Sequence, residues 1–125
     1  VPSRARDWLR QALRDLEHAE AALKYGHYEW ACFAAQQATE KAVKALYQAL
    51  HIEVWGNSIS RMLEQLPPEH RPAKDLVDKA RGLDRHYIPT RYPNFHPEGA
   101  PLDYYTEEDA QSSMHERSWS TVYDK

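Results

Sequence analysis

The stretch YEWACFAAQQATEKAVKALYQAL, residues 28–50, decides the fold. Ala31, Ala35, Ala38, Ala42, Ala45 and Ala49 recur at spacings of four and three, so an α-helix stacks them into one seam of methyl groups. Cys32, Thr39, Val43, Leu46 and Leu50 stand one position further round and widen the seam into an apolar face. On the other flank Gln37, Lys41, Lys44 and Gln48 repeat the spacing with polar groups. A seam of small side chains lets a neighbouring helix approach to roughly 8 Å between axes, the short end of the usual range. The stretch therefore predicts the central helix of a close-packed bundle, and a functional reading adds a job for Gln37, Glu40 and Lys41.

Working outward, Trp8, Leu9, Ala12, Leu13, Leu16, Ala19 and Leu23 form one face of a first helix that Ser3 is placed to cap. Glu20 and Lys24 stand four apart in the favourable order, and Gly26 is a left-handed stop signal. So short a break between two long amphipathic helices leaves room for little except an antiparallel hairpin. Downstream, Asn57 or Ser58 can cap a short helix carrying Ile59, Met62, Leu63 and Leu66, closed by Pro67. Pro68 suits the first turn of a fourth helix, with Leu76, Val77, Ala80, Leu83 and Tyr87 inward and Pro89 at its end. Pro93, Pro97, Pro101 and Gly99 make residues 89–105 a stiff loop. Thr106, followed three residues later by Asp109, has the form of a capping box and opens a fifth helix with Ala110, Met114, Trp119 and Val122 inward. No segment alternates with period two, so no sheet is expected. The expectation is an all-α, antiparallel up-and-down bundle of four to five helices in one domain over residues 1–125.

Sixteen basic against nineteen acidic residues give a formal charge of -3, so the whole-molecule field repels nucleic acid and anionic membranes. Any RNA contact must rest on a local patch. The single cysteine, Cys32, cannot form an intrachain disulfide, which fits a reducing cytoplasm. No apolar run approaches the ~20 residues of a membrane span, and the N-terminus has no secretory pattern, so a soluble cytoplasmic protein without a membrane partner is expected. Seven histidines occur without HxH or HExxH spacing, and His115, followed by Glu116, has no second histidine at the needed distance, so no metal site is expected. Phosphate-cradling glycine motifs are also lacking, and no cofactor is expected.

WLRQALRDLEHAEAAL (8–23), YEWACFAAQQATEKAVKAL (28–46), LDRHYIPTRYPN (83–94) and the threonine-capped last helix together resemble the prokaryotic HEPN domain over nearly the whole chain. The most specific parts are QQATEKAVKAL at 36–46 and RYPN at 91–94. The resemblance implies an antiparallel bundle of four to five helices, usually a homodimer. It also implies, for many members, a metal-independent ribonuclease, often a toxin neutralised by a nucleotidyltransferase-like antitoxin. Other members serve as nucleotide-binding or scaffold partners.

In active members an arginine is followed after four to six residues by a histidine, and both meet their symmetry mates in a cleft between subunits. Arg91 and His96 fit that pattern. A histidine near neutral pKa can take a proton from a ribose 2′-hydroxyl or give one to the leaving oxygen, and a fixed guanidinium stabilises charge on the crowded phosphate. Arg81 and His86 share the spacing but fall inside the expected fourth helix, where a separation of five points them to different sides. Tyr92 and Asn94, between the catalytic pair, and Lys41 and Gln37 on the central helix are the candidate substrate contacts. Tyr87, Tyr92, Tyr104 and Tyr105 are suited to stack on bases. Alternatives stay open: an Arg91 that pins its loop to backbone carbonyls or to Asp84, a non-catalytic nucleotide- or protein-binding module partnering a nucleotidyltransferase-like protein, and a self-associating bundle with no ligand site.

Overall fold

In the computed structural model, which describes residues 3–114, the two long periodic segments fold as α1 (Ala5–Lys24) and α2 (Tyr28–Ala49). The Ser3 hydroxyl donates to the Gln48 carbonyl and the Arg4 N–H to the Gln48 side chain, each at 3.3 Å, so the start of α1 meets the end of α2 and the pair is antiparallel. Their connection is a left-handed C-cap: Gly26 has φ +78°, its N–H donates to Leu23 O, and the His27 N–H donates to Ala22 O at 2.8 Å. Ala12 and Ala19 of α1 and Ala34, Ala35, Ala38, Ala42 and Ala45 of α2 are all buried. Of the predicted seam, Ala31, Ala35, Ala38, Ala42 and Ala45 are packed, and its last member, Ala49, is exposed.

Four further helices follow, α3 (Ile59–Glu64), α4 (Lys74–Asp84), α5 (Pro101–Tyr104) and α6 (Glu107–Ser113), and no strand occurs among the described residues. Val43, Leu46 and Tyr47 of α2 share one core with Ile59, Met62, Leu63, Leu66, Leu76, Val77, Ala80 and Leu83. Within it the Tyr47 hydroxyl donates to Met62 O at 2.6 Å, which satisfies the polar end of a buried ring. A smaller cluster of Ala22, Ala31, Cys32 and Ala110 seats α6. Cys32 is free and buried, and desolvation pushes its thiol up to about 11. No helix among the described residues is long and apolar enough to cross a membrane.

Several local expectations change. The first helix begins after Arg4, and Ser3 acts one residue earlier, accepting from the Ala5 N–H at 3.0 Å. Leu13 is 47% exposed, so the inner face of α1 is narrower than its apolar pattern. α4 starts at Lys74, not Pro68: residues Pro68–His70 form a single 3₁₀ turn, and Pro72 keeps Arg71 in extended backbone. The same helix stops at Asp84, because the chain tightens there, with His86 N–H donating to Leu83 O and Tyr87 N–H to Asp84 O. His86 therefore lies beyond the helix, not inside it. The 89–105 loop carries a 3₁₀ turn at Pro93–Phe95 and the single turn of α5, so the helix opened by Thr106 is the sixth. Its capping box is formed, with Asp109 N–H donating to Thr106 Oγ1 at 3.1 Å and Thr106 N–H to Asp109 Oδ2 at 2.9 Å. Trp119, Val122, His115 and Glu116 lie outside the described residues.

Candidate functional site

Ser58 is the cap of α3, and its hydroxyl accepts from the Arg61 N–H. Asp84, the last residue of α4, completes that cap by accepting from the Ile59 and Ser60 N–H groups and from the Ser58 and Ser60 hydroxyls at 2.6–3.2 Å. This fixes the point at which the chain leaves α4 for the arginine loop. Further on, the buried Thr90 ties the loop back, its hydroxyl donating to His86 O at 2.6 Å.

Arg91 is anchored by hydrogen bonds and by rings. Its Nε–H and Nη2–H both donate to Tyr87 O, at 3.1 and 2.8 Å. The guanidinium lies over Phe33 of α2 at 4.3 Å, over Tyr87 at 5.1 Å and over Tyr92 at 5.3 Å from the ring centroids. Aromatic faces attract a cation, and the planar guanidinium suits such stacking where an ammonium does not. Of the two pinning partners considered from sequence, the backbone carbonyl is realised. Asp84 is committed to α3 instead.

His96 shares a hydrogen bond of 2.7 Å between its Nε2 and Pro89 O. A carbonyl only accepts, so Nε2 carries the proton and the neutral ring keeps its lone pair on Nδ1. The imidazole stacks on Tyr104, centroids 4.3 Å apart and planes at 17°, while Tyr105 stands edge-on at 6.3 Å. Tyr104 is held in turn by its hydroxyl, which donates to Glu98 O. Arg91 and His96 are thus brought to one short backbone segment, the carbonyls of residues 87 and 89.

The other candidates divide. Tyr92 is half-exposed and flanks the guanidinium, and Asn94 is exposed in the adjoining 3₁₀ turn. Gln37 and Lys41 are not gathered with them. Phe33, Gln37 and Lys41 follow at four-residue steps on α2, which puts Lys41 two turns, roughly 12 Å of rise, from the ring under Arg91. The Lys41 ammonium is bound by Asp15 at 2.5 Å and Gln37 at 3.2 Å. Gln37 donates to Gln36, Gln36 to the buried Glu40, and Lys44 pairs with Glu40 at 3.3 Å and sits 5.7 Å from the Trp8 ring. These groups form a continuous polar chain between α1 and α2, extended past Asp15 by a hydrogen bond from Gln11. Glu40, singled out in the sequence, is a buried acceptor within it.

The second arginine–histidine spacing builds nothing comparable. Arg81 pairs with Asp78 and Glu64 at 2.6 and 3.2 Å. His86 is edge-on to Tyr105 at 5.4 Å, its Nδ1 is buried without a hydrogen-bond partner, and burial lowers its pKa against the opposing pull of Asp109. Burial also pushes the Tyr105 phenol up to about 12, which keeps it a neutral donor. Sequence reasoning missed Phe33. The available signal was its place on the partly open flank of α2, in register with Trp30 and Gln37. No group of three or more metal-ligating side chains occurs among the described residues.

The family model for the HEPN domain matches residues 5–116. The chain belongs to the HEPN domain family. Among solved structures, TT1696 from Thermus thermophilus superposes with a TM-score of 0.94 at 44% identity over 98% of both chains. ST0689, an archaeal HEPN homologue, gives 0.78 at 43% identity over 98% of this chain and 94% of that one. An HEPN domain protein of Thermotoga maritima gives 0.72 at 32% identity over 94% and 92%. The Methanocaldococcus jannaschii protein named "Putative toxin MJ1304" is 30% identical over 119 residues, 88% of this chain and 78% of that protein.

Proposed function

We propose that this HEPN chain is a toxin-like, metal-independent endoribonuclease that works as a cytoplasmic homodimer, one domain per subunit, and is held in check by a nucleotidyltransferase-like antitoxin. The observation that carries the reading is the anchoring of Arg91 and His96 to two carbonyls of one short backbone segment. Family membership and the toxin name of the archaeal relative support it.

The chemistry follows from the two side chains. The Nδ1 lone pair of one His96 takes the proton of a ribose 2′-hydroxyl, and that oxygen attacks the neighbouring phosphorus. The bond from phosphorus to the 5′-oxygen breaks as the protonated His96 of the second subunit supplies the proton to that oxygen. The products are a 2′,3′-cyclic phosphate and a free 5′-hydroxyl. Arg91, pre-oriented by Tyr87 O and Phe33, stabilises charge as it grows on the phosphate oxygens. Tyr92 and Asn94 are the adjoining substrate contacts, with Lys41 and Gln37 further along α2.

The test is RNA cleavage in excess chelator. Wild type is expected to yield cyclic-phosphate ends, and His96→Ala to be slower by about 10²–10⁴-fold, the usual worth of a positioned acid or base. Equal activity in wild type, Arg91→Ala and His96→Ala refutes the reading. A second reading, a non-catalytic nucleotide- or protein-binding module for a nucleotidyltransferase-like partner, is favoured by one observation: two of the guanidinium donors of Arg91 already serve Tyr87 O.

A further inference from the structure

The turn that ends α1 leaves Tyr25 projecting, 74% exposed, and the first turn of α2 presents Trp30, 48% exposed. Between them the small Ala21 and Ala22 leave a hollow of about 420 Å³, completed by His18 and His27. That size falls within the range of roughly 300–1,000 Å³ typical of small-molecule clefts. Trp30 is held in place edge-on to Phe33, centroids 6.2 Å apart and planes at 75°. Phe33 is the same ring that carries the Arg91 guanidinium at 4.3 Å. Trp30, on the wall of the hollow, is therefore linked to the arginine site through two successive ring contacts.

We infer that this hollow is a stacking subsite for an unpaired base of single-stranded RNA, an assignment that rests on the ribonuclease reading and extends its substrate contacts beyond the arginine loop. The occupant follows from the lining. Two large rings offer flat apolar faces, the imidazoles and the Tyr25 hydroxyl offer hydrogen-bonding edges, and the alanine floor gives depth without charge. A nucleobase has the matching form, a planar face with a polar rim, and only an unpaired one can present that face to a protein. A strand whose phosphate meets Arg91 can lay a neighbouring base on Trp30. Because every base has a π-face, such a shelf selects single strands over duplexes without reading sequence.

The test uses the full chain carrying His96→Ala to suppress turnover, and a fluorescein-labelled RNA dodecamer, single-stranded or annealed to its complement, read by anisotropy. Trp30→Ala is expected to weaken single-strand binding by about tenfold and to leave duplex binding unchanged. Trp30→Phe should retain most of the affinity, and Tyr25→Ala, whose open ring has little part in the core, should shift it in the same direction. Parent-like single-strand binding by both alanine variants overturns the assignment. So does a lower sedimenting mass of RNA-free Trp30→Ala, which would give the hollow to a second copy of the chain. If a chain with His96 restored leaves RNA uncut while the Trp30 contrast holds, the ribonuclease reading fails and the subsite stands. If RNA is cut with the same kcat/KM by wild type and Trp30→Ala, the subsite fails and the ribonuclease reading stands.

Discussion

In the α1–α2 hairpin, buried alanines set the distance between two long helices, and polar groups between them bond to one another through Asp15, Lys41, Gln37, Gln36, Glu40 and Lys44. In residues 85–106, hydrogen bonds from side chains to carbonyls and contacts between rings do the holding: Thr90 on His86 O, Arg91 on Tyr87 O, His96 on Pro89 O and on the Tyr104 ring. The hairpin is a repeated contact, so each residue is worth little alone but tolerates no added volume. The loop is a set of single contacts, each fixing one functional group. Rigidity for the site comes from where the two meet, at Phe33 under Arg91.

The hairpin side breaks hardest. Ala42 is 2% exposed in the core, and Ala42→Leu is expected to lower stability by about 1–3 kcal/mol through overpacking. Asn94→Ala, at an exposed loop position, should stay within about 0.5 kcal/mol. Urea denaturation of the two variants measures the contrast directly, and equal losses would dissolve it.

A smaller effect sharpens the loop side. Burial holds His86 below its ordinary value of 6.5, with Asp109 opposing and Arg85 reinforcing the shift. The unfolded chain then binds more protons than the folded one as pH falls through and below 6.5, so this residue's contribution is full above that value and is lost on acidification. His86→Leu removes both the unpartnered Nδ1 and this pH dependence. The stability of His86→Leu relative to wild type is expected to rise as pH drops from 7 towards 5, and parallel pH profiles would count against the assignment.

The same contrast explains what could be read in advance. Period and residue size report on a long helix, so α2, most of its alanine seam and the hairpin were legible, as was the Thr106 cap, while the cap of the short helix was narrowed to Asn57 or Ser58 and proves to be Ser58. The bounds of α4 were misplaced because they depend on Pro72 acting on Arg71 and on the tightened chain at residues 84–87. At the site, the spacing of Arg91 and His96 was visible, but their partners are carbonyls and rings, several of them distant in sequence, which carry no local pattern. Phe33 is 58 positions from the arginine it supports. The pairing of Lys41 with Asp15, across the hairpin, likewise has no local signal in the sequence.

In the proposed reaction Arg91 acts as a planar guanidinium held rigid on Phe33 and Tyr87 O, not merely as a positive charge. Single-turnover cleavage of RNA in chelator by Arg91→Lys, with its melting temperature measured alongside, tests this most directly. A fall in rate of about 10²-fold or more in a protein that still folds is the result predicted. A lysine variant that cleaves as fast as wild type would contradict it.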